Sequence, residues 1–357
     1  MPHPRLARLL VLVALGAPLV ALPAQQVIRL TPSNGRVAIW NLTGAARIEQ
    51  GTSAEVEVEI TARGADAARM ITRTGLIDGE QTLRIFYPAD EVRPASAVRR
   101  RGLSTTMQLR DDGRFGGNGR SGDNARRIKI WSGADFEASA DLVIRVPANV
   151  ELEVHVAVGD VEAGGTTRGL TLDTYSGSVR TAATSGPLNI DTGSGDVEVK
   201  QHSGDLSVDT GSGEVDVSDV TNARRISLDT GSGAVLAARC SASNTLRIDT
   251  GSGRIVARDV EAADISLDTG SGAVEVAPTA AAGTLHVDTG SGSVTLIAPA
   301  NFGAELEISV GSGGIRSDLP LQAMRRTESE LSARIGDGRS RISIETGSGG
   351  VSIRGRL

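Results

Sequence analysis

Aromatic rings are nearly missing from this chain of 357 residues: two Trp, two Tyr and four Phe, 2% in all. That excludes an interior assembled on rings and disfavours a sugar-binding platform of stacked aromatics. A single cysteine, Cys240, forbids an internal disulfide, so the fold must hold without staples. Its thiol reads as incidental. Lysine occurs only at Lys129 and Lys200. Beyond the amino terminus the histidines are His155, His202 and His286, with no ligand spacing such as H-E-x-x-H, and each reads as a surface side chain. No G-x-S-x-G, P-loop or C-x-x-C occurs. The glycines of GRFGGNGRSG lie in a stretch without strand pattern, which excludes a dinucleotide fingerprint.

The opening MPHPRLARLLVLVALGAPLVALPAQQ has basic Arg5 and Arg8, an apolar run from Leu9 to Val20, and small residues before Gln25. Residues 1–24 therefore read as a secretory signal peptide cut after Ala24. No later stretch approaches the roughly 18 apolar residues of a membrane-spanning helix. Cleavage removes two Arg and no acid, leaving 35 basic against 43 acidic residues and moving the formal charge from −6 to −8. An exported acidic chain of this kind is not expected to bind nucleic acid.

The pentapeptide DTGSG occurs six times, opening at Asp191, Asp209, Asp229, Asp249, Asp268 and Asp288. Variants open at Asp173 (DTYSG), Ser309 (SVGSG) and Glu345 (ETGSG). The intervals are 18, 18, 20, 20, 19, 20, 21 and then 36, twice 18. A fixed period near 19 marks a solenoid whose repeats are coils stacked on one another. Within ISLDTGSGAVEV, Ile265 and Leu267 alternate with polar residues before the turn, as do Val274 and Val276 after it. Period two means strands with one face buried, and the same apolar columns recur in every coil. The predicted fold is all-β: a parallel β-helix with about 18–20 residues per coil, two facing parallel sheets and an N-terminal cap. Roughly ten coils at about 4.8 Å make a rod of about 50 Å.

Three roles compete for the repeated acids. Aspartic-protease chemistry needs two Asp from two lobes sharing a proton, and nothing on a coil period marks one pair as special. A turn-building role fits better: Asp accepts backbone N–H groups just ahead of it, Gly supplies positive φ, and inward Thr bonds to neighbouring backbone or to the next Thr. As a third reading, Asp191, Asp209, Asp229, Asp249, Asp268 and Asp288 form an outward row that would hold calcium weakly at its rim, although the nonapeptide of calcium-roll repeats is absent.

Residues 25–141 are expected to supply first strands and the cap, and residues 142–357 the repeat solenoid. Within the former, 92–127 is Arg- and Gly-rich without a hydrophobic period and reads as a mobile surface insertion. Its Arg99, Arg100 and Arg101 would be solvated, or would touch anionic glycan or lipid headgroups. Between Ser309 and Glu345 the chain is expected to leave the coil period in a longer excursion and then return to pairing.

Together the leader, LVIRVPANVELEVHVAVGDVEA, the serial LDTGSG coils, GGIRSDLP and the closing ARIGDGRSRISIETGSGGVSI resemble the bacterial putative-adhesin family of unknown function, DUF4097-like, over about residues 35–357. The resemblance implies a β-helix at the cell envelope and brings no catalytic residues or cofactor. The expected function is an exported, non-enzymatic binding or structural module in the periplasm, at the surface or outside the cell, facing a cell-surface glycan or an envelope protein. The alternatives are a carbohydrate-active β-helix enzyme of lyase or hydrolase type and a regulatory partner in envelope-stress sensing.

Overall fold

The computed structural model describes residues 20–21, 24–95, 103–116, 125–279, 283–300 and 302–356. Its strands wind into a parallel β-solenoid, as the columns require. Strand Gly169–Ser176 pairs in parallel with Leu188–Thr192, which pairs with Leu206–Thr210, and so on rung by rung. This is the acid-bearing face. The opposite face stacks Val179–Ser185 on Val197–Ser203, and that on 215–221. Between them lie the aliphatic columns, fully buried at Leu172, Val199, Leu228 and Val276.

The Gly-Ser-Gly corner sets the rung spacing. A Cβ at Gly177, Gly195, Gly213 or Gly233 would fall 1.8–2.2 Å from the carbonyl oxygen of the corner glycine one coil earlier. The coils can close up here only because no side chain intervenes. Three inter-coil hydrogen bonds fasten each corner: Gly195 N–H donates to Ser212 O at 3.0 Å, Gly211 N–H to Thr192 O at 2.9 Å, and the Thr210 hydroxyl to Gly195 O at 3.4 Å. The threonine column thus bonds to glycine carbonyls of the preceding coil. It continues from Thr192 at 3.3 Å to Thr346 at 3.1 Å.

A second corner was hidden in the alternation. Ala183, Gln201, Asp219, Arg239 and Asp259 all take left-handed φ values of 54–59° in equivalent places. Each is an extra outward residue that resets the inside–outside parity of the strand. His202, expected at the surface, is therefore turned inward and only 1% exposed, with Thr184 Oγ1 at 3.0 Å from Nδ1 and the Asp205 carbonyl at 3.3 Å from Nε2. Cys240 occupies the equivalent place two coils on, is buried, and its thiol is pushed up to about 11, mainly by that burial.

Both ends of the stack are interleaved rather than sequential. The coil 36–50 lies inside the stack: Arg36–Thr43 pairs with Glu151–Val158, and Ala46–Gln50 sits between Ser139–Val146 and Val161–Thr166. Antiparallel strands Val56–Arg63 and Gln25–Leu30 finish that end of the opposite face. At the other end, Ser340–Ser348 pairs with Thr284–Ser291 on one edge and Ala304–Ser312 on the other. The last coil in sequence is thus threaded between the two that precede it. The expected excursion between Ser309 and Glu345 contains Gln322–Arg326 and Glu330–Ile335, an antiparallel pair of which the second strand lies antiparallel on Ala304–Ser312 and the first forms the outer edge.

The stretch 92–127, expected as a mobile insertion, is strand-forming in part. Ser104–Leu109 runs antiparallel to Arg126–Trp131 in a separate four-stranded sheet with Glu91–Arg93 and Phe136–Glu137. Arg99, Arg100 and Arg101 lie outside the described residues, as do residues 1–19 and 22–23 of the expected leader.

The corner geometry gives a matched pair of variants. Gly213→Ala meets both a φ of +146° and a carbonyl oxygen at 2.2 Å, and should lower unfolding stability in urea by at least about 2 kcal/mol. Gly314→Ala, with nothing within 4 Å, should stay within about 0.5 kcal/mol of the parent.

Candidate functional site

Register places the acids of the repeat in one unbroken ladder along a flank. Asp173, Asp191, Asp209, Asp229, Asp249, Asp268 and Asp288 are successive rung partners, and Asp288 is followed by Glu345 because of the interleaving. Ser309, which precedes Glu345 in sequence, comes after it in the stack. Eight carboxylates therefore stand in line at a spacing of about 4.8 Å.

The turn role foreseen for these acids is not what the structure shows. Among the described residues, no turn N–H donates to the Asp of a DTGSG. The acid that does this follows the second glycine: Ser178 N–H donates to Asp160 Oδ1 at 2.8 Å and Glu214 N–H to Asp196 Oδ1 at 3.1 Å, each tying one coil to the next. The turn itself is closed by the glycines and the threonine. The DTGSG acids are outward, partly exposed and close to one another. Burial, and then the neighbouring charges, raise the carboxyls of Asp191, Asp229 and Asp268 above the usual range. Among the described residues, Arg247 relieves the row at Asp249, 2.9 Å away, and His155 relieves it at its head. No group of three or more His, Cys, Asp or Glu side chains is arranged to hold a metal ion among the described residues. The straight line of single acids supplies each point with few oxygens, whereas calcium takes six to eight.

The head of the ladder is a built cluster. His155 occupies the acid position of the coil before Asp173, and its Nδ1 lies 2.9 Å from Asp173 Oδ2. Glu153 is 3.6 Å from Nε2. The ring stacks on Trp40, the next residue in the same column, with centroids 4.7 Å apart and planes 3° from parallel. The segment 110–116 straps across it: the Trp40 indole donates to the Phe115 carbonyl at 3.2 Å, and a Cβ at Gly116 would meet Asp173 Oδ2 at 2.6 Å. Phe115 in turn packs against Tyr175 at 6.3 Å. Burial pushes the imidazole pKa down, but Asp173 and Glu153 outweigh it, and the net shift is upward.

His155, expected at the surface like His202, is buried. Its signal was present, since it lies one 18-residue interval before Asp173. Trp40 joins the column from a distant segment that no interval reaches. At the tail, Ser309 faces Glu330 across the antiparallel pair, and Arg325 binds Glu330 at 3.1 Å.

The opposite face carries a shallow groove of about 480 Å³ floored by Ala163, Gly164, Thr181 and Ala182. Of its acids, Glu49 pairs with Arg47 at 2.8 Å, Glu198 pairs with Arg180 at 3.7 Å and with Lys200, and Glu162 is exposed. Glycoside hydrolysis needs one carboxyl held protonated by burial, whereas Glu49 and Glu198 are half-exposed ion pairs and Glu162 is exposed.

The Toastrack DUF4097 family matches residues 97–354. A "putative cell adhesion protein" from Clostridium sporogenes is 12% identical, covering 94% of this chain and 100% of its own, at a TM-score of 0.20. A "putative adhesin" from Bacteroides fragilis is 12% identical, covering 93% and 96%, at a TM-score of 0.36. These scores give the two likenesses no weight on function. No curated protein matches the chain.

Two pH-dependent outcomes follow. His155 has a raised folded pKa, so its contribution is complete below its usual value of 6.5 and is lost as pH rises through the folded value. His155→Gln should cost about 1–3 kcal/mol at pH about 5.5, with the deficit shrinking toward pH about 9 in thermal melts. Asp229 also has a raised pKa, but as an acid its charged form is the penalised one. The penalty appears as pH rises above 3.8, so Asp229→Asn should stabilise at neutral pH by a few tenths of a kcal/mol after solvent screening, and not at pH about 3.

Proposed function

The chain belongs to the Toastrack DUF4097 family, and from that premise we propose a non-catalytic, exported module that binds at the cell envelope. The observation that carries this reading is the ladder. A solenoid side repeats one side chain per rung over the length of the rod, and such a surface offers many weak, equivalent contacts instead of one enclosed reaction centre. Its chemistry is acidic and evenly pitched. A long, regular partner, such as a surface glycan or an envelope protein, meets it better than a small substrate does.

Residues 1–24 support the exported location by their charge, apolar run and small residues. Among the described residues no helix is long and apolar enough to cross a membrane. The aliphatic core holds without disulfides and Cys240 is buried, so the fold tolerates an oxidising compartment.

Fractionation of cells carrying a tagged full chain tests the location. The expected product lacks residues 1–24 and is recovered with periplasm, envelope or medium, where a pull-down retrieves envelope material. A cytosolic product that keeps its leader would reject the reading.

A further inference from the structure

The inserted C-terminal coil has no bond to the stack that depends on chain continuity. Both of its edges pair with segments far away in sequence: Leu285↔Ile342 and Val294↔Val351 on one side, Leu306↔Ile342 and Ile315↔Val351 on the other. Its corner is fastened the same way, with Gly292 N–H donating to Ser348 O at 3.0 Å and Gly349 N–H to Ser312 O at 2.8 Å. Its covalent link to the rest of the chain is the largely exposed turn 336–339, where Gly336 and Gly338 take φ values of +53° and +70°.

We infer that this coil is exchangeable: its seat accepts the same coil from a second copy of the chain, giving a strand-swapped dimer joined at the cap end. The seat itself selects the occupant. It needs inward aliphatics at the places of Ile342 and Ile344, and a threonine whose hydroxyl reaches Gly292 O, at 3.1 Å here. It also needs a glycine where Gly349 stands, since a Cβ there would meet Gly292 O at 2.0 Å. A second copy supplies that pattern identically. Its internal coils also carry it, but they are covalently continuous with coils on either side. Residues 340–355 combine the pattern with two stack neighbours that do not adjoin them in sequence and with the exposed turn 336–339 ahead of them.

Closed and exchanged forms make the same rungs and corners, so the balance between them is set by the strain of the turn and by protein concentration. The cap is then a junction as well as a terminus. Strand Gln322–Arg326 beside it is exposed at every position, and Met324, 69% exposed, is its one large apolar side chain. The Arg325–Glu330 ion pair at 3.1 Å and the register shift at Ala323/Arg325 guard that edge against simple strand addition.

Thr295 and Ser352 are outward rung partners within one seat. Full-length chains bearing Thr295→Cys and Ser352→Cys on separately tagged copies are produced together and oxidised. Exchange predicts a reducible heterodimer at the summed mass of the two chains, increasing with concentration. A Thr295→Cys copy paired with Ser207→Cys, which is exposed and several coils away, should give far less. The doubly substituted chain should close its own disulfide in the monomer. Loss of that internal closure would overturn the seat itself. Closure without the mixed heterodimer, or equal dimer from the Ser207 pair, would overturn exchange.

Discussion

Backbone contact at the glycine corner is the constraint from which the rest follows. Where Gly213 faces Gly195, there is no room for one extra carbon. Sheets alone set a pitch of about 4.8 Å between strands, but they do not stop a strand from ending or splaying at a turn. Here the turn itself is stacked at that pitch and bonded through glycine N–H, glycine carbonyl and threonine hydroxyl. A coil that lost the glycine would have to lift from its neighbour on both faces at once. This is why the pentapeptide is held so tightly while the other edge of the coil varies.

Stacking like on like has a cost on the outer side. The same register that superposes buried valines superposes carboxylates, and burial with neighbouring charges lifts Asp191, Asp229 and Asp268. The fold meets that cost at the head by closing the column with His155 and Trp40 under the strap 110–116. A row whose charges oppose one another, and whose geometry is fixed from within, has electrostatic energy to release on meeting a cationic or hydrogen-bonding partner.

Much of this was legible because a solenoid writes its structure locally. Period, parity and the glycine corner are all repeated within 20 residues, so the coil, its two faces and the position of Asp173 through Asp288 followed from spacing. The second corner was not legible, because a single left-handed residue such as Gln201 carries no composition signal. It turned His202 from an outward to a buried position. The role of the repeated Asp was misread for a related reason. Asp-Thr-Gly suggests a side chain bonded to its own turn, but the first glycine N–H is already spent on the preceding coil and the second on the next.

Interleaving escaped for a deeper reason. Parallel rungs of near-identical sequence satisfy the same columns in either order, so Asp288–Ser309–Glu345 and Asp288–Glu345–Ser309 look equivalent along the chain. What decides between them is the antiparallel strand Glu330–Ile335. It covers the free edge of Ala304–Ser312 and so makes that coil a terminus on which no parallel rung can stack. The coil carrying Thr346 has the full threonine–glycine corner and can bond on both sides, whereas Val310 in the terminal coil has no hydroxyl to offer Gly292. The better rung goes inside and the poorer one outside. Both ends of the rod are closed by distant segments laid across the coil order, so an open aliphatic end is not left to recruit other chains. The acids stand on the long flanks, away from both closed ends.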